Sequence, residues 1–192
     1  ATLFIMSCCS EDFIELAPIS TVSTDALYKT DRDFQDAVTG IYGVYKTEYL
    51  NMWLYGDIRA DDSWDELVKG TAAAMDLFTI NNDDGVIRNT WRNYYNIINR
   101  ANVTLDKIES TEVSVVTNKD RHIGEAKFLR ALAYFNLVRI FGDVPMVTEP
   151  VGIAESYKSA RVAVASIYQE VIIPDLLDAE TKLPASYTGQ NV

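Results

Sequence analysis

One histidine, His122, and two adjacent cysteines, Cys8 and Cys9, are the whole supply of imidazole and thiol in 192 residues. A single imidazole leaves a histidine-dependent triad or a two-histidine metal site short of parts. A surface position near a helix start is the expected place for it. Neighbouring cysteines make a strained, poor disulfide and cannot staple distant segments. Packing must therefore hold the fold. Glycine patterns of the Walker or dinucleotide kind are absent, so no phosphate-bearing cofactor has a candidate site and none is expected. Positive charge is scarce as well: 17 Lys and Arg stand against 28 Asp and Glu, a net charge of −11. A phosphate backbone needs clustered cations, which argues against nucleic acid as a partner. The same acidity disfavours anionic lipid surfaces. No apolar run reaches the ~18 residues of a membrane-spanning helix.

What is present points to one globular domain, since 48% of the residues are hydrophobic. Its start is unusual. ATLFIM is apolar, and SCCSED follows. We read Ala1–Ser7 as the tail of a secretion signal and Cys8 as the lipid attachment site of a bacterial lipoprotein. The competing reading is a buried apolar N-terminal strand. Residues 1–20 then comprise signal remnant, lipoprotein cysteine and tether, and residues 21–192 the folded domain.

Helical periodicity dominates the rest. Thr30-Asp31-Arg32-Asp33 resembles a capping box. Phe34, Ala37, Val38, Ile41, Tyr42 and Tyr45 follow on one face of a helix over about 31–47. Gly40 and Gly43 inside it suggest close approach by another helix. A second helix over about 87–109 carries Trp91, Tyr94, Ile98, Ala101 and Leu105. A polar loop joins it to a third, EAKFLRALAYFNLVRIFGDVP (Glu125–Pro145), which is apolar nearly all round and stops at Gly142 and Pro145. These two form an antiparallel hairpin of helical-repeat size. Arg130, Asn136 and Arg139 interrupt the oily surface and read as structural, with Glu125 or Asp143 as partners for a buried arginine. A fourth helix over about 160–183 presents Ala165, Tyr168, Ile172, Leu176 and Ala179, with Pro174 breaking or kinking it. No strand pattern of any length appears, so the class is all-α.

Between the first two helices, residues 48–87 form a long, partly structured excursion, of a kind more often functional than idle. Trp53, Tyr55 and Trp64 have flat faces suited to sugar rings, and Asp61, Asp62 and Asp65 suit hydroxyl donors. Equally, the aromatics could pin the excursion to the helices, and the acids could be solvated. A glycosidase pair needs two carboxyls set across a cleft, which sequence alone does not show. An EF-hand fails here: with Gly85 at the sixth loop position, the first and last would be Ile80 and Trp91, and neither ligates calcium.

GEAKFLRALAYFNLVRIFGDVPMVT resembles the signature helix of the SusD/RagB family of outer-membrane lipoproteins from Bacteroidetes. Ser20–Ala26 with Tyr28, Ile97–Asn102, and Ile167-Tyr168 through Leu183-Pro184 are similar to further blocks of that family, in its order. The resemblance implies helix pairs of tetratricopeptide type, a lipid anchor at the outer membrane, and outward exposure. It implies a glycan or other nutrient as ligand, a TonB-dependent SusC-like transporter as partner, and no catalysis. It transfers no binding residue, because the family's ligand loops differ between members. Those members are much longer, so the domain is expected to be incomplete at its C-terminus and some cover for Phe128–Phe141 to lie elsewhere. The alternatives are a helical-repeat module that binds a protein and a glycoside-processing enzyme.

Overall fold

In the computed structural model of the chain, residues 27–60, 69–111, 116–152 and 159–187 are described. The first helix, α1 (Asp31–Tyr49), starts as its sequence requires. The Thr30 hydroxyl accepts from the Asp33 N–H, and the Asp33 carboxylate takes the Thr30 N–H at 2.8 Å. Orphan amides at a helix start are satisfied reciprocally in this way. Phe34, Val38 and Ile41 fall on its buried face.

After an excursion containing a five-residue π-helical turn (Leu54–Ile58) and a short helix α2 (Thr71–Asp76), the long α3 (Gly85–Glu109) and α4 (Lys119–Phe141) form a helical hairpin. Asp84 caps α3 by accepting from the Val86 N–H. Gly142 ends α4 at φ +70°, a conformation glycine adopts without a Cβ penalty. Val144–Pro145 (β1) then pairs antiparallel with Arg161–Val162 (β2), a short ladder that the sequence pattern did not announce. Last come α5 (Val164–Ile167), a second π-helical turn (Tyr168–Ile172) and α6 (Ile173–Lys182). The expected single fourth helix is thus interrupted by the π turn, and Pro174 sits in the first turn of α6, immediately after that turn.

Helix α4 is central and packs on α3, α1 and α6. The main core joins Ile41, Tyr94, Ile98, Leu129, Leu137 and Ile172. Each such side chain contributes roughly 1.5–3 kcal/mol by leaving water. The architecture is all-α, with antiparallel helix pairs.

Buried polar groups correct several expectations. Arg130 pairs with neither Glu125 nor Asp143. It forms a bidentate bridge to Asp175 of α6, at 2.7 and 2.9 Å, and donates to Asn102 Oδ1 at 2.8 Å. Asp175 therefore turns inward, and Leu176 and Leu177 are left exposed; Ala165 is exposed too. A paired charge outranks apolarity at this position, because a buried guanidinium without a counter-ion is the costlier outcome. Asn102 also donates to the carbonyls of Val147 and Glu149, both at 3.0 Å. The Tyr134 hydroxyl accepts the Val147 N–H at 2.7 Å, and burial pushes its phenol up to about 12. These side chains strap the chain leaving Gly142 onto α3 and α4.

His122 is fully buried rather than at the surface. Its Nε2 lies 3.3 Å from Asp31 Oδ1, and its ring stacks near Phe34. Gly40 lies beside Arg100, whose guanidinium a Cβ would meet at 3.1 Å, but Gly43 faces open space and needs no close approach. The small residue that α4 and α6 do require is Gly124, against Leu183. Phe128, Ile173, Leu176 and Leu177 are exposed apolar side chains on α4 and α6.

Candidate functional site

Leaving α1, the chain enters the π-helical turn with Leu54 and Ile58 pointing inward, where they meet Met75 of α2. Residues spaced by four share a face in such a turn, so burying Leu54 and Ile58 sets Tyr55 and Arg59 together on the adjoining face. Both line a cleft of about 390 Å³, within the range typical of small-ligand sites. Its other walls are Phe78, just past α2, and Arg139 and Ile140 at the end of α4.

Phe78 has φ +54° and leaves 68% of its surface exposed. A bulky residue in the left-handed region costs about 1–3 kcal/mol. Packing into the core does not compensate for that cost here. Instead the ring lies under the Arg59 guanidinium, 5.5 Å from its centroid. Arg139 lies likewise over Phe135, at 4.9 Å. Tyr55 is half-buried; burial raises its phenol pKa, the carboxylates of Glu48 and Asp84 add to the rise, and Thr90 opposes it. The phenol is therefore neutral at physiological pH. The Tyr55 hydroxyl itself is buried, so the cleft offers the exposed ring of Phe78, part of the Tyr55 ring and two guanidiniums.

A second hollow, of about 490 Å³, is lined by Trp91, Tyr95, Asn96, Asn99, Pro145 and Val147 among others. Its aromatics are engaged in the fold. Trp91 packs edge-on against Phe141 and beside Tyr95, whose hydroxyl donates to the Pro145 carbonyl at 2.7 Å. The excursion cleft is the better candidate, because Phe78 and its arginine have no such structural duty.

Of the residues singled out by sequence, Tyr55 lines this cleft. Trp53 is 47% exposed but stands outside the lining, two residues before Tyr55 and on another face of the turn. Trp64, Asp61, Asp62 and Asp65 lie outside the described residues, as does Cys8. Phe78 and Arg59 were not anticipated, and Arg139 reads from sequence as structural. The only local hint was an aromatic three residues ahead of the turn cluster Asn81–Gly85. Among the described residues no group of three or more His, Cys, Asp or Glu could hold a metal ion.

The family model described as starch-binding, associating with outer membrane, matches residues 12–191. The chain belongs to the SusD-like family. SusD-like protein P25 of Formosa agariphila is 27% identical over 199 residues, which cover 97% of this chain and 38% of that protein. A SusD superfamily protein from Bacteroides thetaiotaomicron superposes with a TM-score of 0.72 at 27% identity, over 85% of this chain and 37% of its own. A laminarin-binding SusD-like protein superposes with a TM-score of 0.70 at 29% identity, over 82% and 35%. The helix pairs described above are thus the tetratricopeptide-like scaffold of SusD-like proteins. The chain spans little more than a third of the length of the curated relatives it matches.

Proposed function

We propose that this SusD-like chain belongs to a surface lipoprotein of the outer membrane that binds a glycan without covalent chemistry. In this reading it delivers the sugar to a TonB-dependent SusC-like transporter, and Cys8 carries the lipid anchor. The observation that carries the proposal is Phe78, a strained and exposed ring opposite Tyr55 in a cleft with hydrogen-bond donors. An exposed aromatic face takes the C–H-rich side of a sugar, and the arginines take its oxygens. Membership of a family described as starch-binding and the likeness to a laminarin-binding relative support it. Recognition of this kind needs no acid–base pair.

A glycan array probed with the protein as its gene encodes it tests the reading. Binding to at least one oligosaccharide is expected. Binding to a protein partner alone would overturn it in favour of an interaction module, which the exposed Phe128, Ile173, Leu176 and Leu177 favour. Hydrolysis of a bound glycan that is lost in Asp61→Asn or Asp65→Asn would instead establish a glycoside-processing enzyme.

A further inference from the structure

We infer that the excursion cleft selects an acidic sugar, one carrying a carboxylate or a sulfate ester; this rests on the glycan-binding reading above. The protein carries a net charge of −11, yet the described lining of the cleft has the opposite sign. Its described lining is Tyr55, Gly56, Arg59, Ala60, Phe78, Arg139 and Ile140, which contains two cations and no anion. Arg130, the arginine buried in the fold, shows how this chain treats a guanidinium it needs structurally: it is held by a carboxylate and an amide. Arg59 and Arg139 are treated differently. Both are exposed, and among the described residues neither has a carboxylate partner; each lies over a phenylalanine ring instead.

Stacking has a chemical consequence. A guanidinium lying over a ring keeps its face occupied and leaves its in-plane N–H groups free. Those edges form the fork that matches a carboxylate or sulfate. The stacked side chain has also given up part of its rotamer freedom before any ligand arrives, which reduces what binding must offset. Phe78 supplies the sugar-ring face beside one such fork, so ring and anion can be met together. A neutral sugar would use the aromatic face but would leave the charge of both forks unmatched. Charge-assisted hydrogen bonds are roughly twice as strong as neutral ones, so selection of about tenfold or more is expected for the acid form.

The test is calorimetry on the protein as its gene encodes it, with two matched pairs of probes. One pair is an oligogalacturonate and its methyl ester. The other is a sulfated galacto-oligosaccharide and its desulfated product. An acidic member should bind about tenfold or more tighter than its neutral counterpart, and the pair that discriminates identifies carboxylate or sulfate as the source. Arg59→Gln and Arg139→Gln should each reduce the acid's affinity about tenfold and the neutral sugar's by clearly less, because the amide still donates to a hydroxyl but no longer carries the charge an anion needs. Both residues are exposed, and an unchanged melting temperature will verify that the variants are folded. Equal or tighter binding of the neutral members, or indifference of acid binding to both substitutions, overturns acid selection and leaves glycan binding standing. Failure of all four probes together with a blank glycan array overturns both.

Discussion

Asp175→Ala removes one half of the bridge that ties α6 to α4. Arg130 and Asp175 expose only 11% and 6% of their side chains, so solvent screens the pair weakly. Deleting the carboxylate leaves a buried guanidinium with only Asn102 Oδ1 at 2.8 Å and the Thr148 carbonyl at 3.2 Å. Breaking a buried pair from one side costs about 3–5 kcal/mol. In a domain of this size each kcal/mol lowers the melting temperature by about 2–4 °C, so the expected drop is roughly 6–20 °C. The double variant Arg130→Met/Asp175→Leu discards both charges and should recover most of that loss. It should not recover all of it, because Asn102 and Thr148 lose their donor, an unsatisfied-acceptor penalty of about 1–3 kcal/mol. Urea unfolding followed by circular dichroism, with thermal melts alongside, measures both variants. An Asp175→Ala protein melting within about 2 °C of the parent would refute the reasoning, as would a double variant less stable than either single one.

Gly43→Ala should stabilise by about 0.5–1 kcal/mol, since nothing lies within 4 Å of the new methyl in a helix interior. Gly124→Ala should gain nothing or lose stability, because its Cβ would meet Leu183 at 3.0 Å and Lys182 Cβ at 3.2 Å; paired chemical denaturation separates the two cases. Thr30→Ala should cost about 0.5–2 kcal/mol by removing the cap of α1, read as a shifted urea midpoint at constant slope. Burial lowers the pKa of His122 below its ordinary 6.5, while the carboxylate of Asp31 pulls it back up. The unfolded chain then binds a proton that the folded chain resists, so stability is full above about pH 6.5 and falls as pH drops toward the folded value. His122→Gln should flatten that slope in denaturation curves between pH 7 and 5, and a parent protein whose stability rises over the same interval would contradict the assignment.

What the sequence reveals is what neighbours in sequence decide. The Thr30 box, the faces of α1 and α3, and the stop at Gly142 all depend on residues within a turn or two of each other, and they appear where expected apart from Tyr42 of α1, which is exposed. The hidden features depend on distant partners. Asp175 faces inward because of Arg130, 45 residues away, and a periodicity reading that ranks residues by apolarity gives that place to Leu176. His122 is buried because Asp31 and Phe34 of α1 receive it, a contact its polar neighbours Asp120 and Arg121 conceal. The cleft is the hardest case. Tyr55 was visible as an aromatic in an excursion, but its companions come from the far side of α2 and the end of α4, and the strain at Phe78 leaves no mark on composition.

The central claim, that a sugar sits on the ring of Phe78 in this cleft, is tested most directly by one calorimetric comparison. A glycan identified on the array is titrated into the parent protein and into Phe78→Ala. Aromatic contacts contribute about 0.5–1.5 kcal/mol beyond the area they bury, so the variant should bind the glycan about tenfold more weakly or worse, with its melting temperature nearly unchanged, since the ring is exposed and alanine keeps the same backbone strain. Undiminished affinity in Phe78→Ala would place the sugar elsewhere and contradict the account.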